Sequence, residues 1–519
     1  MPHAIVIGAG FGGIAAALRL RARGYEVTLI DKQDQLGGRA YQYRRHTPLG
    51  TFVHDAGPTV ITARFLFDEL FALFGKRRED YATFVDLYPW YRIVFADGTH
   101  FDYGGSIAQT EAQISKFEPQ ALDGFRRYLD HSKRIFDVGF TELGAVPFHR
   151  LGTMLRCVPD LLRLQNHKTV WQLACQYFQD EKLRRVFSFQ PLLVGGNPFS
   201  TTSIYALIFY LEREWGIQFC MGGTGALVGA LGKLMHEERI DIRLNTEVKR
   251  IRPPESGTTT NGSRRSFEVV VNHSEPLRSD IVVCNADAPF VYRHLLDRRW
   301  ARGIAPRRVH SRLAPLKFSM GLFVLYFGTR RKFPDVPHHT IVLGNSYREL
   351  IDRIFDRHEL ETDDLSIYLH RPTATDPTMA PPGCDSFYCL VPVPNLLGGH
   401  DWSLVGPQLR DATVRYLERT ILPGLSSAIV DEFFVTPEHF ARNLNTLHGS
   451  GFSIQPLFSQ SAYFRFHNRA PGIDGLYFVG AGTHPGAGMP GVLCSAKVLE
   501  HLLPDGHQPA AASTGSNRK

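Results

Sequence analysis

The sequence predicts an α/β fold built on a dinucleotide-binding βαβ unit, interrupted by a second sheet and a helical segment. Three observations predict it. Residues 5–13 read Ile-Val-Ile-Gly-Ala-Gly-Phe-Gly-Gly, a strand running into a glycine turn. Residues 475–491 form a second glycine-rich strand-turn-helix at the far end of the chain. Between them, residues 317–327 and 386–393 are apolar and β-rich, which places a second sheet within 300–440. The two ends of the chain therefore converge on one ligand, and the middle supplies something else.

Taken in order, Ala4–Ile7 is a short apolar strand. Phe11–Arg23 has helical spacing through Ile14, Leu18 and Leu20, with Gly24 as its stop. Tyr25–Ile30 is the second strand. Gly8-x-Gly10-x-x-Gly13 sits at the turn. Gly8 permits the turn, Gly10 lets the backbone approach a pyrophosphate, and Gly13 allows close helix–strand contact. The helix N-terminus favours the negative charge. Asp31 ends the second strand where a ribose hydroxyl is expected, and an acid there disfavours a 2′-phosphate.

Leu36-Gly37-Gly38-Arg39-Ala40 follows, with Arg39 able to pair with phosphate. Asp55-Ala56-Gly57-Pro58-Thr59 is another turn of small residues. A simple NAD domain needs neither, which favours FAD. Asp97-Gly98 marks a hairpin between Tyr91–Ala96 and Thr99–Tyr103. Residues 105–215 read mainly helical, with strands expected to return after Gly223. Ile240–Val248, Phe267–Val271 and Asp280–Cys284 read as strands, and Pro253–Arg265 as a polar loop. Leu476–Gly480 is a strand, and a helix starting at Met489–Gly491 runs through Lys497. From 508 onward the composition is that of a disordered tail.

Composition narrows the function. The 36 Phe and 19 Tyr indicate either a large core or an apolar cavity or membrane-facing surface. The net charge of +7 is spread without a nucleic-acid arm, so an anionic membrane surface or a merely solvated basic face explains it. Seven cysteines without a C-x-x-C pair argue against a disulfide framework or a zinc site, and suit a reducing cytoplasm. No apolar run is long enough to span a bilayer, so any membrane contact is expected to be peripheral.

These motifs resemble the FAD-dependent amine oxidase and phytoene desaturase superfamily. The stretch from Gly475 to Ser495 resembles the bacterial phytoene desaturase signature throughout. Leu192–Phe199, Glu212-Arg213-Glu214-Trp215-Gly216, Gly222–Leu227, Asn285-Ala286-Asp287 and Phe323–Gly328 resemble the central blocks of the same family. The likeness spans about residue 3 to 500. It implies a Rossmann-type FAD-binding domain (1–104, 217–300 and 440–503), a helical, membrane-facing subdomain (105–216), a substrate-binding sheet (301–439) and a disordered tail (504–519). It implies that Gly8, Gly10, Gly12, Gly13, Asp31, Lys32, Gly38, Arg39, Gly57, Pro58, Thr59, Val248, Gly482, Thr483, Met489 and Pro490 hold the FAD. His484 and Arg156 are candidates at the reacting centre. No metal is expected.

The resemblance further implies stepwise desaturation of 15-cis-phytoene to neurosporene or lycopene, a hydride passing to flavin N5. The partners are an apolar C40 polyene, the inner face of the cell membrane, and oxygen or a quinone as electron acceptor. Alternatives are a diapophytoene desaturase, a 3,4-desaturase, a carotene isomerase or a non-catalytic prenyl-lipid binder. The apolar residues of 151–168, among them Leu151, Met154, Leu155, Val158 and Leu162, fit an interfacial helix or a core-facing one. Pro159 divides that stretch into two short helices if it acts as a breaker.

Overall fold

The computed structural model describes residues 1–254, 266–273 and 275–503. The loop expected from Pro253 to Arg265 falls mostly outside these residues, and the tail from 504 falls wholly outside them.

A five-stranded parallel sheet carries the chain ends. Its strand order is Leu476–Phe478, Ile281–Cys284, His3–Ile7, Glu26–Ile30, Asp241–Arg243. Helix Phe11–Ala22 leaves the first strand directly after the glycine turn and packs with helix Met489–Val498 in one core. The small residues Ala15, Ala16 and Ala17 are fully buried there, which lets the two helices approach closely. The N-terminal turn and the C-terminal loop are thereby brought side by side.

A seven-stranded mixed sheet forms the second layer. Its order is Ile429–Val435, Gly321–Thr329, Asp385–Val393, Ile367–His370, His339–Leu343, Tyr91–Phe95, His100–Tyr103. The strand Gly321–Thr329, second in that order, is buried on both faces, and this is why its sequence is continuously apolar instead of alternating. Leu322, Val324 and Tyr326 pack toward the aromatic residues of the helical segment, including Phe125, Tyr128 and Phe209. Phe323, Leu325 and Phe327 pack toward helix Trp402–Thr420. The two-residue period of the strand thus divides the core into two.

Several expectations are corrected. The Tyr91–Tyr103 hairpin forms as expected, but it joins the second sheet and not the nucleotide half: Tyr91–Phe95 pairs in parallel with His339–Leu343. Gly223 is followed by a helix, Thr224–Glu237, not by strands. The Asp55 carboxylate accepts from the first amides of that helix, Thr224 N (2.8 Å) and Gly225 N (3.1 Å), an N-terminal anchor that sequence spacing does not reveal. The stretch Ile240–Val248 is two strands, Asp241–Arg243 and Val248–Arg252, separated by Asn245 at φ 52°. Pro159 does not break its helix, which runs unbroken over Leu151–Arg163.

Candidate active site

A cavity of about 660 Å³ is lined by residues of both sheets and of the helical segment. At one end the walls are backbone. Gly8, Gly10, Gly12, Asp31, Lys32, Gly38, Arg39, Gly57, Pro58 and Val248 all line it. At the other end the walls are side chains, among them Leu192, Leu207, Met320, Leu322, Tyr326 and Ile341.

The backbone end rests on tight packing. A Cβ on Gly13 would stand 1.9 Å from the Gly8 carbonyl oxygen, so Gly13 closes the turn without lining the cavity. A Cβ on Gly12 would stand 2.5 Å from Asn285 Oδ1. Asn285 supports the turn from beneath, its Nδ2 donating to the Gly8 carbonyl at 3.2 Å. The Asp31 carboxylate accepts from Ala9 N (2.6 Å) and Gln33 N (2.8 Å). Burial raises its pKa and these amide bonds oppose the rise. Two bonds leave lone pairs on a carboxylate for a ribose hydroxyl. Lys32 reaches the cavity, but its ammonium is committed to Arg442 O (2.7 Å) and Asn445 Oδ1 (3.0 Å) of the C-terminal segment.

Arg39 is the cation of this end. Its Nε donates to Gly451 O at 2.9 Å, while Nη2 is buried without a partner among the described residues. Burial lowers its pKa, and the Asp287 carboxylate opposes that. A buried guanidinium with an unused donor at the mouth of a glycine turn fits the pyrophosphate of a dinucleotide. These residues could hold FAD.

The C-terminal loop divides its expected roles. Met489 and Pro490 line the cavity at the start of their helix. Gly482 and Thr483 do not line it; Thr483 Oγ1 donates to Phe466 O at 2.6 Å and holds the loop from behind. The buried Arg465 gathers the loop carbonyls, donating to Thr483 O (3.2 Å) and Ala481 O (2.6 Å). His484 does line the cavity, packed on Phe148 with ring centroids 4.7 Å apart. Burial pushes its pKa down to about 4, so it is neutral, and its Nδ1 has no partner among the described residues.

Arg156 is not brought to this centre. It lies on the exposed face of helix Leu151–Arg163, while Met154, Cys157 and Leu161 of the same helix line the cavity. The helical period explains the division: 156 lies about 100° around the axis from 157, enough to turn it from the cavity to the exposed face.

Two polar residues at the apolar end were not singled out from sequence. Glu212 lines the cavity and is 1% exposed, its carboxylate accepting from Tyr91 and Tyr103 hydroxyls at 2.9 Å each. Burial raises its pKa to about 7. Tyr368 lines the cavity with its hydroxyl 2.6 Å from Thr59 Oγ1. Glu212 lay inside the quoted Glu-Arg-Glu-Trp-Gly block, the one available signal; Tyr368 had none.

A family model described as flavin containing amine oxidoreductase matches residues 11–497. A lycopene-forming phytoene desaturase of Pseudescherichia vulneris is 45% identical over 97% of this chain and 99% of its own length. A neurosporene-forming phytoene desaturase of Rhodobacter capsulatus is 38% identical over 98% of this chain and 95% of its own. Among solved structures, a putrescine oxidase variant superposes with a TM-score of 0.61 at 13% identity, covering 96% of both chains. Cyclohexylamine oxidase of Brevibacterium oxydans gives 0.59 at 14% identity, covering 96% of this chain and 99% of its own. At such identities the structural likeness establishes the fold.

Proposed function

Because the chain belongs to the flavin-containing amine oxidoreductase family and, within it, to the bacterial phytoene desaturases, we propose that it desaturates phytoene stepwise to neurosporene or lycopene with FAD. The observation that carries this reading is the two-ended cavity: one end suits a dinucleotide, the other an apolar chain. Gly8, Gly10, Gly12 and Asp31 would hold the nucleotide half, Arg39 the pyrophosphate, and Gly57–Thr59 with Met489 and Pro490 the flavin. Bound there, FAD supplies the hydride acceptor.

The chain's own residues bind and orient. A polyene without polar groups offers nothing to hydrogen-bond, so its affinity rests on apolar area at roughly 25 cal/mol per Å². Leu192, Leu207, Met320, Leu322 and Ile341 supply that surface and keep water from the reacting bond. His484, neutral and packed on Phe148, shapes the wall and takes no charge there.

Substrate and product are lipids, and the wall helix suits their transfer. On Leu151–Arg163 the outward side chains Leu151, Leu155, Val158 and Leu162 are between 37% and 61% exposed. Arg156 and Arg163 lie beside them. Exposed leucines flanked by arginines favour an anionic lipid surface, and the inner face of the cell membrane is the surface proposed. Met154, Cys157 and Leu161 of the same helix line the cavity, so one helix would separate lipid from tunnel. No helix among the described residues is long and apolar enough to cross a membrane. Oxygen or a membrane quinone would take the electrons.

Incubation of the purified, FAD-loaded protein with phytoene-loaded liposomes tests the reading. Neurosporene or lycopene on chromatography is the expected result. Unchanged phytoene in the presence of bound flavin would reject it.

A further inference from the structure

Polar groups behind the apolar end of the cavity form a connected chain. Tyr368 and Thr59 line the cavity with their hydroxyl oxygens 2.6 Å apart. On its other side the Tyr368 hydroxyl lies 2.7 Å from Nδ1 of His339, which is fully buried and has no place in the cavity wall. His339 stacks on His370 at 5.2 Å between centroids, and His370 Nε2 lies 3.0 Å from His338 Nε2. The three imidazoles are close enough to share a metal ion. Among the described residues, however, no carboxylate or thiolate joins them, and two of their Nε2 atoms are already paired with each other. His339 Nδ1 faces the Tyr368 hydroxyl and the other two imidazoles face each other, which is the arrangement of a hydrogen-bonded chain.

Resting on the desaturase reading, we infer that Tyr368 accepts the proton that leaves the substrate and that His339 holds it. Loss of a hydride from a carbon beside a double bond leaves an allylic cation, and two electrons go with that hydride to the flavin. The neighbouring C–H bond then breaks and its electron pair forms the new C=C bond. Its proton goes to the Tyr368 oxygen as the phenol's own proton passes to His339 Nδ1. The proton of an allylic cation is acidic enough that neither a strong base nor a carboxylate in contact is required. Reoxidation closes the balance. Oxygen or a quinone takes up two electrons and two protons, one proton from the reduced flavin and one from His339 back through Tyr368.

The surroundings keep His339 ready to accept. Burial, then the neighbouring His338, holds its pKa well below the ordinary histidine value. The groups facing it are His338 and His370, both held neutral by burial, with Tyr368 and Tyr91. The Tyr91 ring lies 5.8 Å from the His339 ring, and its hydroxyl donates to Glu212. Glu212 is thus one side chain behind the imidazole, and since burial raises its pKa to about 7 it places no fixed negative charge there on the acid side. His339 is a positioning and proton-holding residue; Tyr368 meets the substrate.

Tyr368→Phe, loaded with FAD and given phytoene-loaded liposomes, should lose about 100-fold or more in kcat with KM unchanged. His339→Gln should lose kcat in the same way. The wild-type rate should fall only on the far acid side, well below the ordinary histidine range, where His339 becomes charged, and that limb should be missing in His339→Gln. Should Tyr368→Phe fail to retain flavin, the acid limb and its loss in His339→Gln decide alone. Tyr368→Phe turning over like wild type, or an acid limb unchanged in His339→Gln, overturns the relay. A wild type that leaves phytoene untouched rejects the desaturase reading itself, a separately visible result.

Discussion

The two ends of the cavity are built by opposite means. The nucleotide end is backbone: turns of glycine, one arginine and one aspartate, all close in sequence to the strands that carry them. The apolar end is side chain: residues from positions 59, 192, 212, 322, 341 and 368 meet only because two sheets and a helical segment fold over one another. The first end tolerates almost no added atom, and the second is defined by which atoms fill it. A local motif can therefore specify the first, whereas tertiary packing must specify the second.

The largest effect should come from adding one carbon at the backbone end. In Gly13→Ala the new methyl would fall 1.9 Å from the Gly8 carbonyl, and neither backbone can yield without opening the turn. The cost should exceed the ~3 kcal/mol upper range of ordinary overpacking. Flavin absorbance surviving gel filtration should vanish, and the Tm should drop sharply. Gly152→Ala is the contrasting change, because a Cβ there meets nothing within 4 Å. In a helix it should stabilise by up to about 1 kcal/mol and leave the flavin bound. Equal behaviour of the two variants would break the comparison.

An intermediate effect is expected where the apolar end meets the outside. Leu155→Glu with Leu162→Glu removes the two most exposed leucines of the wall helix, 60% and 61% exposed. Burial of two such side chains in lipid, discounted for partial insertion, is worth roughly 2 kcal/mol, or about 30-fold in partition to anionic liposomes. Flotation should fall by that order while flavin occupancy stays at the wild-type level. Flotation unchanged in the double variant would remove the lipid-facing role from this helix.

What the sequence made legible follows the same division. The glycine turn, Asp31, Arg39 and the C-terminal loop were readable because their chemistry depends on neighbours in the chain. Within that loop the reading could not separate Met489 and Pro490, which line the cavity, from Gly482 and Thr483, which support it. The distinction depends on Arg465 and Phe466, whose contacts have no motif. Arg156 was misplaced because a helical stripe alone does not say which side faces inward. Tyr368 and His339 were invisible: they sit on neighbouring strands and acquire meaning only when Thr59, some 309 residues away, closes the hydrogen bond. The hairpin at Asp97-Gly98 was legible as a hairpin, but its sheet was not, since pairing with His339–Leu343 is a long-range event.

The effect that shows only as a slope with pH tests whether the apolar end tolerates a charge at all. Burial holds the Glu212 pKa near 7 against an ordinary 4.5, and the hydroxyls of Tyr103 and Tyr91 only partly offset this. The folded state thus binds this proton more tightly than the unfolded chain does. The resulting stabilisation is complete below the unfolded pKa and is lost as pH rises through the folded one. Its ceiling is about 3 kcal/mol, from the difference between those values at 1.36 kcal/mol per unit. Glu212→Gln still offers an oxygen to one tyrosine and an amide to the other, and cannot ionise. Between about pH 5 and pH 8 the wild-type Tm should therefore decline relative to that of the variant, whose own profile should be flatter. Parallel profiles would mean that Glu212 is better solvated than its 1% exposure indicates, and the apolar end would then not be the low-dielectric counterpart of the nucleotide end.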